Sequence, residues 1–214
     1  MPTFETPEPI SITVDVLSGN VRVVASNRTD TVVEVRPTDA AKKADVRAAT
    51  HTRVDFAAGT LTVKAPKEWR TYTPFGGNPS VEVTIEVPID SRLKATVGAG
   101  RLLGTGELGE CDLEIAAGDI TVERPRGSVT AKAAKGDIRI GEAARGVLRL
   151  ETAMGELAVG IRPGSAARLE TNTSVGTVQN RMAPVDRPQE DAETVHVYAR
   201  NSFGNIIIGH STAA

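Results

Sequence analysis

The chain has few aromatic residues: one Trp, two Tyr and four Phe among 214 residues, or 3%. A core built on stacked rings is therefore excluded, and Val, Ile, Leu and Ala must fill the interior. There is a single cysteine, Cys111, so no intramolecular disulfide can form. The three histidines, His51, His196 and His210, share no motif spacing, and none sits by Cys111. That pattern excludes the usual zinc and cysteine-nucleophile signatures. No serine stands in a nucleophile-elbow context, and no motif calls for a cofactor. Neither sign of charge dominates: the formal net charge is −2, against a basic nucleic-acid surface. The longest apolar runs are a few residues, too short for a helix across a bilayer. The opening MPTFETPEPISITV lacks the basic and apolar regions of a secretory signal. With Met1 as the native start, the expected location is the cytoplasm.

What is present is β-branched residues, 20 Gly and 12 Pro, the composition of an all-β chain with many turns. AAGDITV at 116–122 is followed by AKGDIRI at 134–140, and the same grammar recurs. LSGNVRV, AAGTLTV, GAGRLLG, AMGELAV, SVGTVQN and SFGNIII place glycines at Gly19, Gly59, Gly100, Gly155, Gly176 and Gly204, beside Gly118 and Gly136. Two residues after every one of these glycines stands an apolar residue: Val21, Leu61, Leu102, Ile120, Ile138, Leu157, Val178 and Ile206. The fourth residue is apolar too, except at Gly104 and Asn180. This period of two marks a strand with one buried face. The pattern continues upstream through Leu113 and Cys111, Ala131 and Val129, Leu150 and Leu148. Each unit thus reads as strand, glycine turn, strand, second turn. The glycine is expected to need positive φ or close backbone approach, and the residue after it to cap the turn.

From Gly100 the spacings are 18, 18, 19, 21 and then 28 residues, the last across MAPVDRPQEDAE. So short a repeat buries its apolar face only by stacking on its neighbours. The expected fold is all-β: a β-solenoid-like stack of 18–21-residue two-strand repeats with an irregular N-terminal cap. Ile120, Ile138, Leu157, Val178 and Ile206 would form one interior ladder. A twisted sandwich of repeated hairpins fits the same alternation. The chain is read as one domain over 1–214, with 1–90 irregular and 91–214 regular. In the irregular part, ISITVDV, NVRVVAS and TVVEVRP read as three strands. Thr38–Thr50 is the one helical candidate, with Asp39 near its start and Ala41, Ala44 and Ala48 as its apolar face.

VEVTIEVPIDSRLKATVGAGRL, followed by LEIAAGDITVERPRGSVTAKAAKGDIRI, resembles the bacterial β-strand-repeat family named "putative adhesin", also called the Toastrack domain. The resemblance is strongest over Val81–Ile161. It implies a mostly β, solenoid-like domain without a catalytic site. Relatives are often coupled to cell-envelope stress systems as sensory or protein-binding modules.

The candidate sites are few. Gly118–Asp119 and Gly136–Asp137 could suggest calcium, but the aligned residues run Arg101, Asp119, Asp137, Glu156, Thr177, Asn205, too few acids in a row to gather the oxygens of a calcium site. Turn capping is the expectation there. Cys111 falls on an inward position and reads as a small core residue. The outward column Asp112, Thr130, Arg149, Glu170, Tyr198 is mixed, not the paired carboxylates of a glycosidase. The local Lys and Arg excess from Glu123 to Glu151 reads as a solvated face. PKEWRTYTPFGGNPS at 66–80 carries Trp69, Tyr72 and Phe75, and reads as a long loop. These aromatics are expected either to plug an end of the stack or to contact a partner. The expected function is a non-enzymatic protein-binding or scaffold module, which the resemblance would place in envelope-stress signalling. Two alternatives stand: a self-assembling solenoid joined through its ends near Ile10–Val16 and Ile206–Ile208, and a carbohydrate-binding or adhesin-like surface protein.

Overall fold

The computed structural model of the chain describes residues 1–66, 79–182 and 193–211. Its N-terminal part comprises β1 (Thr3–Glu5), β2 (Ser11–Ser26), β3 (Asp30–Pro37), helix α1 (Lys43–His51), β4 (Arg53–Ala57), β5 (Thr60–Lys64) and β6 (Val81–Pro88). The coils follow as β7 (Arg92–Leu108), β8 (Cys111–Pro125), β9 (Val129–Lys135), β10 (Ile138–Ala143), β11 (Gly146–Met154), β12 (Leu157–Ile161), β13 (Ala166–Val175), β14 (Val178–Asn180), β15 (Thr194–Phe203) and β16 (Ile206–His210).

All these strands belong to one open sheet that folds back on itself into two layers. Layer A runs β4-β5-β2-β7-β8-β9-β11-β15-β13, and layer B runs β1-β3-β6-β2-β7-β8-β10-β12-β16-β14. Strands β2, β7 and β8 serve both layers, because each continues through a glycine corner without a break. From β5 and β6 onward every pairing is parallel. Stacked hairpins would give antiparallel neighbours, so the parallel ladders establish the solenoid. The N-terminal cap is antiparallel: β1 on β3, β3 on β6, and β4 on β5.

The interior is a set of in-register columns. One in layer A joins Leu61, Ile12, Leu93, Cys111, Val129, Leu148 and Val197, all buried. The next interleaves large and small residues: Leu113, Ala131, Leu150, Ala199. This interleaving fills a narrow interior without rings. At the glycine corner, polar residues bond the neighbouring coil's backbone. Thr152 Oγ1 donates to the Gly136 carbonyl at 3.0 Å, Asn201 Nδ2 to that of Gly155 at 3.1 Å, and Thr173 Oγ1 to that of Gly204 at 3.2 Å. Those bonds offset part of the cost of burying these groups; the Asn201 Oδ1 is buried without a partner among the described residues.

The corner itself is a ladder of glycines. Gly19, Gly100, Gly118, Gly136, Gly155, Gly204 and Gly176 all have φ between 130° and 153°. A Cβ at any of the last six would overlap the carbonyl oxygen of the preceding glycine in the ladder. Both the dihedral and the approach therefore require glycine.

Four expectations change. Gly59 is not in this ladder: with Ala58 at φ 48° and Gly59 at φ 71°, it turns the antiparallel β4–β5 hairpin. The two last coils exchange places, since β15 lies between β11 and β13, and β16 between β12 and β14. The interior ladder is thus Ile120, Ile138, Leu157, Ile206, Val178, and Val178 is exposed. Ile10–Val16 and Ile206–Ile208 are accordingly inside the stack, and the ends are β1 with β4, and β13 with β14. The helix is shorter than 38–50 at its start: Asp39 bonds the Ala41 N–H of the preceding turn, and the buried residues of α1 are Asp45 and Ala48, with Ala41 and Ala44 exposed. Asp45 is held by the backbone N–H groups of Asp39 and Ser80 at 3.2 and 3.0 Å.

The ladder makes a sharp prediction. Gly118→Ala should cost about 3 kcal/mol or more, because the clash is backbone on backbone and no side chain can yield. Gly164, also at positive φ but with no atom within 4 Å of an added Cβ, should lose only about 1–2 kcal/mol as Ala. Urea unfolding of the two variants beside wild type measures the difference. Equal losses would mean that the close approach does not constrain the fold.

Candidate functional site

At three corners the side chain after the glycine bonds the next coil. Asp119 Oδ1 accepts the Asp137 N–H at 3.0 Å, Asp137 Oδ1 accepts that of Glu156 at 2.8 Å, and Asn205 Oδ1 accepts that of Thr177 at 3.1 Å. These side chains are turn caps that tie one coil to the next. Among the described residues no group of three or more His, Cys, Asp or Glu could hold a metal. The histidines lie apart, on α1, β15 and the end of β16. Cys111 is buried, and burial, with some help from Glu110, pushes its thiol up to about 12. It is a core residue and not a nucleophile.

The opposite corner carries an ion-pair rail. Arg126 reaches Asp90 at 3.3 Å and Glu107 at 3.1 Å, Arg145 reaches Glu193 at 3.6 Å, and Arg162 reaches Glu142 at 2.9 Å. The Arg162 guanidinium, with the Ser211 hydroxyl, holds the Glu142 carboxyl below its usual range. Arg126 and Arg145, two of the basic residues of 123–151, are thus paired with carboxylates. Trp69, Tyr72 and Phe75 lie outside the described residues. At the N-terminal end α1 packs on β3 and β6 with Ala48 in the core, and Phe4 of β1 meets Phe56 of β4 at a ring distance of 5.2 Å.

The outer face of layer A is the strongest candidate surface. Parallel register sets its side chains in straight columns, roughly 4.8 Å apart from strand to strand. One column reads Lys94, Asp112, Thr130, Arg149, Tyr198, Glu170. Its neighbour reads Glu114, Lys132, Glu151, Arg200, Asn172. Charge alternates along the second column, and Lys94 pairs Asp112 at 3.1 Å in the first. The Arg149 guanidinium lies over the Tyr198 ring at 5.3 Å, an attraction of about 0.5–1 kcal/mol at an exposed site. Around Tyr198 these columns line a groove of about 580 Å³, bordered by Lys132, Glu151, Glu170, Asn172 and Arg200. The coil exchange is what brings Tyr198 between Arg149 and Glu170. The first column was readable from the repeat, though not its order. The second was missed, although the same alignment, read two residues on, contains it.

No family model matches the sequence, and no curated protein does. Solved structures do. A "putative cell adhesion protein" from Clostridium sporogenes superposes with a TM-score of 0.55 at 12% identity, over 98% of each chain. A "putative adhesin" from Bacteroides fragilis gives 0.45 at 13% identity, over 97% of this chain and 95% of that one. A "putative lipid binding protein" from Parabacteroides distasonis gives 0.37 at 12% identity, over 99% and 94%. The first likeness shows the fold, all-β and solenoid-like, and its name agrees with the adhesin-type family that the repeat grammar resembles. Among the described residues no helix is long and apolar enough to cross a membrane.

Two outcomes check the roles assigned here. Asp137→Asn should keep wild-type stability, because Asn retains the accepting oxygen, as Asn205 does; Asp137→Ala should lose about 1 kcal/mol. Urea midpoints compare them, and an equally damaging Asn would contradict the cap. Cys111 should be silent to a disulfide thiol reagent at pH 8 in the folded protein and react at once in denaturant. Fast labelling of the native state would contradict its burial.

Proposed function

We propose that this chain is a non-enzymatic binding module that presents the outer face of layer A to a protein partner. The observation that carries this reading is the charged, two-column grid around Tyr198. It combines an exposed aromatic, alternating charges and a rigid parallel scaffold. Aromatics and arginines supply most binding hot spots, and alternating charge selects a complementary surface more than it adds affinity. A non-enzymatic role is supported by what the reactive side chains already do. The aspartates cap turns, Cys111 is packed in the core, and the histidines stand apart. A role in envelope-stress signalling belongs to this proposal only through the resemblance of the repeat.

A second reading has one observation in its favour. Tyr198 is flanked by Glu170, Asn172 and Arg200, an aromatic ring with side-chain hydrogen-bonding groups around it, which suits a sugar ring as well as a protein side chain.

A photo-crosslinking amino acid at Thr130, inside the grid, tests the proposal against one at Arg22, on the outer face of layer B. The experiment is run in the cells that make the protein. Protein adducts are expected from position 130, and a Tyr198→Ala, Arg200→Glu background should abolish them. Identical adducts from both faces, or none from either, would overturn the reading. Glycan-array binding lost on Tyr198→Ala, with no protein adduct, would favour the sugar.

A further inference from the structure

The two ends of the solenoid differ. The N-terminal end is closed by α1 and by the Phe4–Phe56 contact, and its edge strands are short: three residues in β1 and five in β4. At the other end β13 is ten residues long, and among the described residues it pairs only with β15. It contains no proline, and its inward side chains, Ala167, Leu169, Thr171 and Thr173, are uncharged. It thus lacks the usual protections of an edge. Two exposed large apolar residues stand side by side here, Val175 at 57% and Phe203 at 54%.

We propose that β13 pairs with β13 of a second copy, antiparallel about a twofold axis at Leu169, making a dimer in which layer A runs continuously through both chains. This goes beyond the partner-binding reading and does not depend on it. The register follows from two facts. The Ala166 N–H donates to the Glu193 carbonyl, so in this parallel ladder the even-numbered residues from Ala166 to Asn172, ahead of the corner, turn their backbone groups toward β15. The N–H and C=O groups of Ala167, Leu169 and Thr171 then face away, toward a second copy. A twofold axis at Leu169 joins Leu169 to Leu169, and Ala167 to Thr171, as hydrogen-bonded pairs. Between them Arg168 stands opposite Glu170 of the second copy, twice, in the closer non-hydrogen-bonded position. Centring one residue further on would put Glu170 against Glu170, and at Thr171 the charges would meet only Ser174 and Asn172. The charges of β13 select the Leu169 register. An isologous interface closes after two copies, whereas head-to-tail stacking in layer A would set the ten-residue β13 on the five-residue β4.

Sedimentation velocity over about 1–100 μM tests the pairing, with circular dichroism confirming that each variant is folded. A monomer–dimer equilibrium is expected for wild type. Arg168→Glu or Glu170→Arg alone should weaken the dimer about tenfold or more, since each sets two like-charged cross-strand pairs. The double exchange, Arg168→Glu with Glu170→Arg, should restore it. Thr171→Pro should weaken it while leaving the ladder to β15 intact, because that N–H faces away. A wild-type monomer at every concentration, open-ended filaments, or a double exchange as weak as the singles would each overturn the proposal.

Discussion

The architecture depends on backbones touching at one corner. Where seven glycines stack, each coil sits directly on the carbonyl of the next, closer than any side chain allows. That contact fixes the phase of every coil. Once the phase is fixed, the residue two places after the glycine must point inward, and so must the residue three places before it. Both layers then inherit their inside and outside from a single backbone position, and the caps at Asp119, Asp137 and Asn205 fall into line for the same reason. A strand register is ordinarily held by side-chain packing alone, and a slip of one residue would turn the core out. Here a slip would also drive a Cβ into a carbonyl, so packing and sterics enforce the same register.

This is why so much of the fold was legible in the sequence. Glycine followed by alternation is a chemical requirement repeated at every coil, and it reads directly. The failures are equally physical. Gly59 carries the same local string because alternation follows any turn into a half-buried strand. What separates it is a tight hairpin geometry and an antiparallel neighbour, neither of which is encoded in the string itself. The exchange of the last two coils was invisible for a related reason: both carry the corner glycine, so either fits the ladder. A signal did exist. The inner positions of β13 and β14 include Thr171, Thr173 and Asn180, where β15 and β16 place Ala199, Asn201 and Ile208. The more polar repeat belongs at the end of the stack, where water reaches it.

The candidate face was half legible. Its first column could be listed from the alignment, but a column is a surface only when its order is known. Placing Tyr198 beside Arg149 rather than beyond Glu170 turns an assortment of polar residues into an aromatic ring with a cation on one side and a carboxylate on the other. Loop composition drew attention to Trp69, Tyr72 and Phe75, and the argument for them was general: aromatics in loops. The argument for Tyr198 is positional, and only topology supplies it.

Among the described residues, the terminal coil ends without a lid. Closing the N-terminal side takes a helix, an antiparallel hairpin and two rings. At the far side the interior becomes more polar instead, with Thr171 and Asn180 beside Ala199 and Ile208 of the neighbouring coil. A polar inner row lowers the cost of meeting water, so a single chain can remain folded with that coil uncovered. Among the described residues it leaves the far edge of β13 unpaired all the same. Association through such an edge draws on hydrogen bonds and charge register more than on buried apolar area. Bonds of that kind exchange against water with a small net gain each, so contact between copies there would be reversible and governed by concentration, without being needed for either chain to fold.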